Sequence, residues 1–221
     1  MNFLSKQSSK EKKDNPFEPK GLAGSVYVML HDMVSILAVI VLLFVFVARL
    51  VGVTGSSMYP TLVGAQESAG AAGDYLILRS NFVSDSYKPG DIVVACVPSF
   101  EDGKPIVKRV IAAAGQTVAF RSGEDGNLHV YVDGELQSEA QINEPMQGRY
   151  SAIDGYSTAV PEGCYFLMGD NRNNSSDSRY QDVGMVDGRY IVGKALWLIF
   201  PGQDARKGNA RSWSRIGDIY D

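Results

Sequence analysis

The alternation of apolar and polar positions divides the chain into three regions. The first 24 residues, including KQSSKEKKDNPFEPK, are charged and carry proline, with no apolar period. That composition predicts a disordered tail. Met33 to Val53 then reads MVSILAVIVLLFVFVARLVGV, with Arg49 as its one charge. At about 1.5 Å rise per residue this run matches a hydrocarbon core of about 30 Å. A helix beginning near Ser25 gives an anchor over residues 25–53, with Arg49 reaching the headgroups by its stem.

Beyond the anchor the period falls to that of short strands. DYLILRS (74–80), KPGDIVVACVP (88–98), PIVKRVIAAAGQTVAF (105–120), GCYFLMGDN (163–171) and YIVGKALWLIF (190–200) are apolar runs bounded by turn residues. NLHVYVDGEL (127–136) predicts a hairpin about Asp133-Gly134. No helical period appears past the anchor. Residues 54–221 are therefore expected to form one mainly β domain with coiled, barrel-like sheets. Within it, residues of about 119–158 are more polar and form an excursion. The tail after Pro201 has no legible pattern.

Charge adds an orientation. Lys6, Lys10, Lys12, Lys13 and Lys20 precede the span, and past Arg49 the next cation is Arg79. The positive-inside rule then puts the N-terminus in the cytoplasm and residues 54–221 outside, as a single-pass protein of the cell membrane. The apolar run is longer than a cleaved leader's and follows a longer polar segment, which favours an uncleaved signal-anchor. The net charge of -4 offers nothing to nucleic acid. Two cysteines, Cys96 and Cys164, exclude a Cys-rich zinc site and a dense disulfide framework, and leave a single disulfide open. No ligand cluster calls for a metal or a nucleotide cofactor.

Candidate chemistry begins where the anchor ends. VTGSSMYPTL (53–62) presents two serines between a glycine and a Met-Tyr-Pro bend. A serine nucleophile needs a base. The two histidines are poor candidates: His31 lies in or before the span, and His129 lies in the hairpin. No G-x-S-x-G elbow exists. Lysine can serve if desolvation makes it neutral. Lys108, bracketed by Ile106, Val107, Val110 and Ile111, is the best placed, ahead of Lys88, Lys104 and Lys194. An edge-strand lysine that discourages aggregation is the alternative. Arg109 cannot act as base. On a strand the two alternate, one toward the site and the other toward water. GDNRNNSSDSR (169–179) concentrates Asp170, Arg172, Ser175, Asp177, Ser178 and Arg179 after an apolar strand. Its composition fits a solvated turn as well as a self-bonded site loop.

Three of these stretches together resemble the type I signal peptidase family, membrane-bound serine proteases that remove signal peptides. SSMYPTL is similar to its S-M-x-P-T-L box, VKRVIAAAGQ to its K-R-V box and MGDNRNNSSDSR to its G-D-N-R-x-x-S-x-D-S-R box. The order is the family's, and the likeness covers most of residues 54–201. The resemblance implies an extracytoplasmic protease domain on one transmembrane helix. It makes Ser57 the nucleophile, Lys108 the base and Ser175 the hydroxyl that orients the amine. Asp177 and Arg179 become a stiffening pair, with Asp170 in the same supporting loop. Substrates would be preprotein signal peptides with small residues, typically Ala, at the first and third positions before the cut; the lipid bilayer is the other partner, and no cofactor is implied. Gly55, two positions before Ser57, stands where some members carry a serine that assists the oxyanion hole, which leaves that hole to backbone N–H groups, chiefly that of Ser57. YQDVGMV replaces a common Tyr-Trp-Gly, and AAAGQ ends a box where Asp commonly follows the glycine.

Other readings compete. A self-cleaving repressor-type protease shares the Ser-Lys dyad but has no need of a span. A Cys-His-Arg transpeptidase would need Cys96 or Cys164 beside His129. A non-enzymatic anchored domain would have no reason to keep Ser57, Lys108 and Ser175 together.

Overall fold

The computed structural model describes residues 21–138 and 140–220. The expected tail, its lysines included, lies outside the described residues up to Lys20. The chain divides into two units after Leu43, and each is taken by itself.

Helix α1 spans Leu22–Phe46 and buries none of its side chains. It is apolar on all sides and long enough to cross a membrane. It ends earlier than residue 53, however. Ala48–Gly52 is strand β1, and Arg49 lies in it rather than in the helix. The reason is pairing: Ala48 to Gly52 runs antiparallel to Arg79 to Tyr75, residue for residue. One apolar run thus contains two elements, which hydropathy alone does not separate.

The other strands are β2 (Tyr75–Ser80), β3 (Ile92–Cys96), β4 (Pro105–Ala113), β5 (Thr117–Ser122), β6 (Leu128–Val132) and β7 (Glu135–Leu136). They continue with β8 (Ser157–Ala159), β9 (Cys164–Met168), β10 (Val186–Asp187), β11 (Ile191–Phe200) and β12 (Gly217–Asp218). The main sheet runs β1-β2-β11-β3-β4-β9-β10, with β12 beside β11, and the smaller one runs β7-β6-β5-β8. All pairings between the strands are antiparallel. Neither sheet closes into a barrel.

The sequence pattern explains both sheets. In β2 the buried positions alternate, whereas Ile92 to Ala95 of β3 are buried without alternation, as in a strand covered on both faces. On one face Leu76, Leu78, Ile92 and Val94 form a core with Met58 and Leu62. On the other, Val93, Ala95, Val110 and Leu167 pack together. The smaller sheet places Val118, Phe120, Val130 and Val132 on Phe166 and Met168. Its hairpin turns at Asp133 (φ 52°) and Gly134 (φ 85°), the two positive angles of a type I′ turn.

Both cysteines are free. Cys96 pairs with Pro105 at the start of β4, while Cys164 lies one residue before the partner of Ala113 at its end. At about 3.3 Å per residue the length of β4 separates them by more than about 20 Å, too far for a disulfide.

Candidate active site

The serine loop leaves the edge of the main sheet at Val53, whose N–H bonds to Asp74 O at 2.8 Å. Gly55 takes φ +72°, and Gly64 lies so close to the Gly55 backbone that a side chain at 64 would collide with it. The loop then winds one turn, with Tyr59 N to Ser56 O at 3.1 Å and Leu62 N to Met58 O at 2.9 Å. Met58 and Leu62 are the apolar pins, both fully buried in the core. Ser57, directly before Met58, is left half-buried beside a cleft of about 280 Å³ lined by Gly52, Gly55, Phe100, Ile106 and Lys108.

Strand β4 brings the lysine. Val93 opposes Lys108, and Ile92 opposes Arg109, so hydrogen bonding to β3 fixes which way each side chain leaves the sheet. Lys108 Nζ lies 2.8 Å from Ser57 Oγ and donates to Val107 O at 3.0 Å. Lys108 is 3% exposed. Desolvation pulls its pKa from 10.5 down to about 8, against the pull of Asp177 in the other direction. The edge-strand alternative thereby fails, because a lysine against aggregation must face water.

The expectation that Arg109 faces water is corrected. It is buried and grips Asp170, with Nε to Oδ1 at 2.8 Å and Nη2 to Oδ2 at 2.7 Å. Its third arm reaches Gly90 O at 2.8 Å. Thr61 Oγ1 donates to the same Asp170 carboxylate at 2.6 Å. The alternation of a strand separates Lys108 from Arg109, but Asp170 of the 169–179 loop covers Arg109 and keeps it from water.

That loop is a self-bonded structure rather than a solvated turn. Asp177 and Arg179 form a buried two-point pair, Nε to Oδ1 at 2.7 Å and Nη2 to Oδ2 at 2.8 Å. Burial pushes the Asp177 carboxyl up, but the Arg179 guanidinium and the Gly169 N–H outweigh it and hold it below the usual carboxylate range. Arg179 also stacks on the Tyr150 ring at 4.5 Å. Ser175 is buried against Gly169. Its hydroxyl makes no well-formed hydrogen bond, to Lys108 or otherwise, though it lies near enough to Asp177 to favour that charge.

Comparison with known proteins decides the family. Residues 27–200 match the family described as signal peptidase, peptidase S26. The chain belongs to the signal peptidase family. A probable signal peptidase I-1 of Synechocystis sp. is 35% identical, covering 85% of this chain and 84% of its own. A signal peptidase I of Bacillus licheniformis is 30% identical over 92% of this chain and 99% of that one. The crystal structure of a signal peptidase I from Enterococcus faecalis V583 is 27% identical over 49% of this chain and 96% of that one, with a TM-score of 0.39.

Two of the other bases considered are occupied elsewhere. Lys194 pairs with Asp91 at 2.6 Å, and His129 sits beside Asp125 at 3.0 Å in the smaller sheet. Sequence reasoning missed Asn171, Asn174 and Thr61. Asn171 donates to Ser56 O from its side chain and to Ser57 O from its backbone, both at 3.0 Å. Asn174 donates to Ser56 Oγ at 2.8 Å. The signal was the run of asparagines in NRNN, whose amides are natural donors to backbone carbonyls and hydroxyls.

Proposed function

We propose that this chain cleaves by a Ser57–Lys108 dyad. As a member of its family it is a membrane-bound S26 peptidase that removes signal peptides from preproteins. The observation that supports the dyad is the 2.8 Å approach of a buried amine to Ser57 Oγ. Neutral Lys108 takes the Ser57 proton as Oγ bonds to the scissile carbonyl carbon. The tetrahedral oxyanion is held by backbone donors, chiefly the Ser57 N–H, while Gly55 keeps the approach free of a side chain. Collapse breaks the peptide C–N bond, and Lys108 passes its proton to the leaving amine. Water, deprotonated by Lys108, then attacks the acyl-enzyme and returns Ser57.

Substrate is bound extended. Strand β1 pairs only with β2, and β4 gains its β9 partner only from Arg109 onward. The open edge at Pro105 to Lys108 and the end of β1 both border the cleft, so a peptide strand can add there. The cleft's small size favours small side chains, typically Ala, at the first and third positions before the cut. Ser175 and the Asp177–Arg179 pair support the amine by shaping its wall; Asp170 does so through Arg109. We further assign the residues before α1 to the cytoplasm, residue 54 onward to the outside, and the span to α1.

Incubating a detergent-solubilised preprotein with the enzyme and reading the products by mass spectrometry tests the dyad. Ser57→Ala should lose at least about 10³-fold in turnover, and Ser56→Ala far less. Lys108→Arg should be as inactive as Lys108→Ala, because guanidinium keeps its proton. Equal losses at both serines, or cleavage by Lys108→Arg, would refute the assignment.

A further inference from the structure

The tail after Pro201 folds back onto the sheet and reaches the serine loop. It is tied down along its length. Arg211 donates to Pro201 O at 2.6 Å, and β12 pairs with Trp197 and Leu198 of β11. Tyr220 OH donates to Ala195 O at 2.7 Å and accepts from Ile92 N at 3.0 Å.

Two of its cations leave these ties and hold the loop itself. Arg206 places its guanidinium 3.9 Å from the centre of the Tyr59 ring. Arg215 donates to both oxygens of Asp74, at 2.9 and 2.7 Å, and to Thr61 O at 2.9 Å. Asp74 is fully buried and also accepts from Val63 N at 2.7 Å and Gly202 N at 2.6 Å. The loop is therefore held two, four and six residues beyond Ser57. Its own pins, Met58 and Leu62, are apolar and fix depth but not lateral position, because dispersion has no direction.

We propose that the C-terminal strap, residues 204–220, positions the nucleophile, with Arg206 and Arg215 as positioning residues. The inference rests on the Ser57–Lys108 reading. Thr61 is the junction. Its carbonyl is held by the strap, while its hydroxyl is held by Asp170, whose other partner is Arg109, the neighbour of the base. One residue thus couples the strap, the serine loop and the base-bearing strand. A shift of Thr61 moves Ser57 Oγ relative to Lys108 Nζ, and a misplacement of about 1 Å costs about 10²-fold in rate. A salt bridge to Asp74 would suffice for stability alone; the contacts to Thr61 O and Tyr59 go beyond it.

The test uses the full chain in detergent. Arg215→Lys keeps a charge on Asp74 but loses the planar bridge to Thr61 O. Arg206→Ala removes an exposed cation from a ring, and Arg206→Lys restores one. Three quantities are measured: kcat and KM on a preprotein, the rate at which a small organophosphorus reagent modifies Ser57, and the melting temperature. Arg206→Ala should lower kcat about 5- to 10-fold and Arg215→Lys about 10- to 100-fold, on the scale of such misplacements. KM should stay level, the reagent rate should fall in parallel, and Arg206→Lys should recover most activity. Arg121→Ala, which removes an exposed cation from the Tyr131 ring in the smaller sheet, should match wild type. Wild-type kcat in both folded variants overturns the proposal. So does a rise in KM with the reagent rate intact, which would make the strap a substrate contact. If Arg215→Lys fails to fold, Arg206→Ala decides. Ser57→Ala is run alongside: if it cleaves as wild type does, the dyad reading falls and the cause of failure is distinguished.

Discussion

On the proposed dyad, one buried side chain, Lys108, sets both rate and stability. With its pKa near 8, about a tenth of the enzyme holds a neutral amine at pH 7. Turnover should therefore rise with pH through about 8 and level off above it, where the amine is fully deprotonated. A rate limb centred near 10 would mean that burial does not lower the pKa. The same shift carries a stability cost. Between about 8 and 10.5 the unfolded chain binds the lysine proton and the folded chain does not, so stability rises with pH across that window. Below it the full penalty applies, on the order of 3 kcal/mol. Lys108→Met should thus be inactive yet more stable than wild type at pH 7, and the gain should fade toward pH 10.5. Urea unfolding at both pH values checks this; an equal gain at both would remove desolvation as its cause.

At the scale of elements, the catalytic geometry is set by where β9 hands over to the 169–179 loop. Gly169 bonds its N–H to Asp177 Oδ2 at 3.0 Å. A methyl there would collide with Ser57 O and the Ser175 side chain. Gly169→Ala should cut kcat by about 10²-fold and also lower the melting temperature, since the methyl must displace buried backbone. Unaltered kcat would show that the loop yields without moving Ser57. The sequence made the strands legible here because their alternation and turn residues are local signals. It did not reveal the end of α1, since apolar residues satisfy a helix in lipid and a strand on β2 equally well. Ser57, Lys108 and the Asp177–Arg179 pair were legible through the boxes that carry them. The Arg109–Asp170 clamp was not, because residues 61 apart in sequence meet only once β4 and β9 pair. Nor were the strap's contacts, since Arg206 and Arg215 sit in a polar segment with no period and find their partners across the sheet.

At the scale of the whole molecule the remaining question is orientation. Strand β1 begins two residues after α1 ends, and Ser57 follows β1 by five. The nucleophile is thus tethered to the span by a chain of about ten residues, at most about 35 Å when extended. A signal peptide whose apolar segment is still in the bilayer presents its cut site within that same distance. On the proposed topology the domain lies outside, the side on which exported substrates are released. The cluster Lys6, Lys10, Lys12, Lys13 and Lys20 favours that topology. A reporter that is active only outside the cytoplasm, fused after Asp221, should be active, and protease added to intact spheroplasts should reach the domain. Replacing Lys10, Lys12 and Lys13 with Glu should lower the fraction correctly inserted, because the cytoplasmic excess of positive charge is then largely lost. A domain protected from external protease in wild-type spheroplasts would reverse the orientation and separate Ser57 from exported substrates.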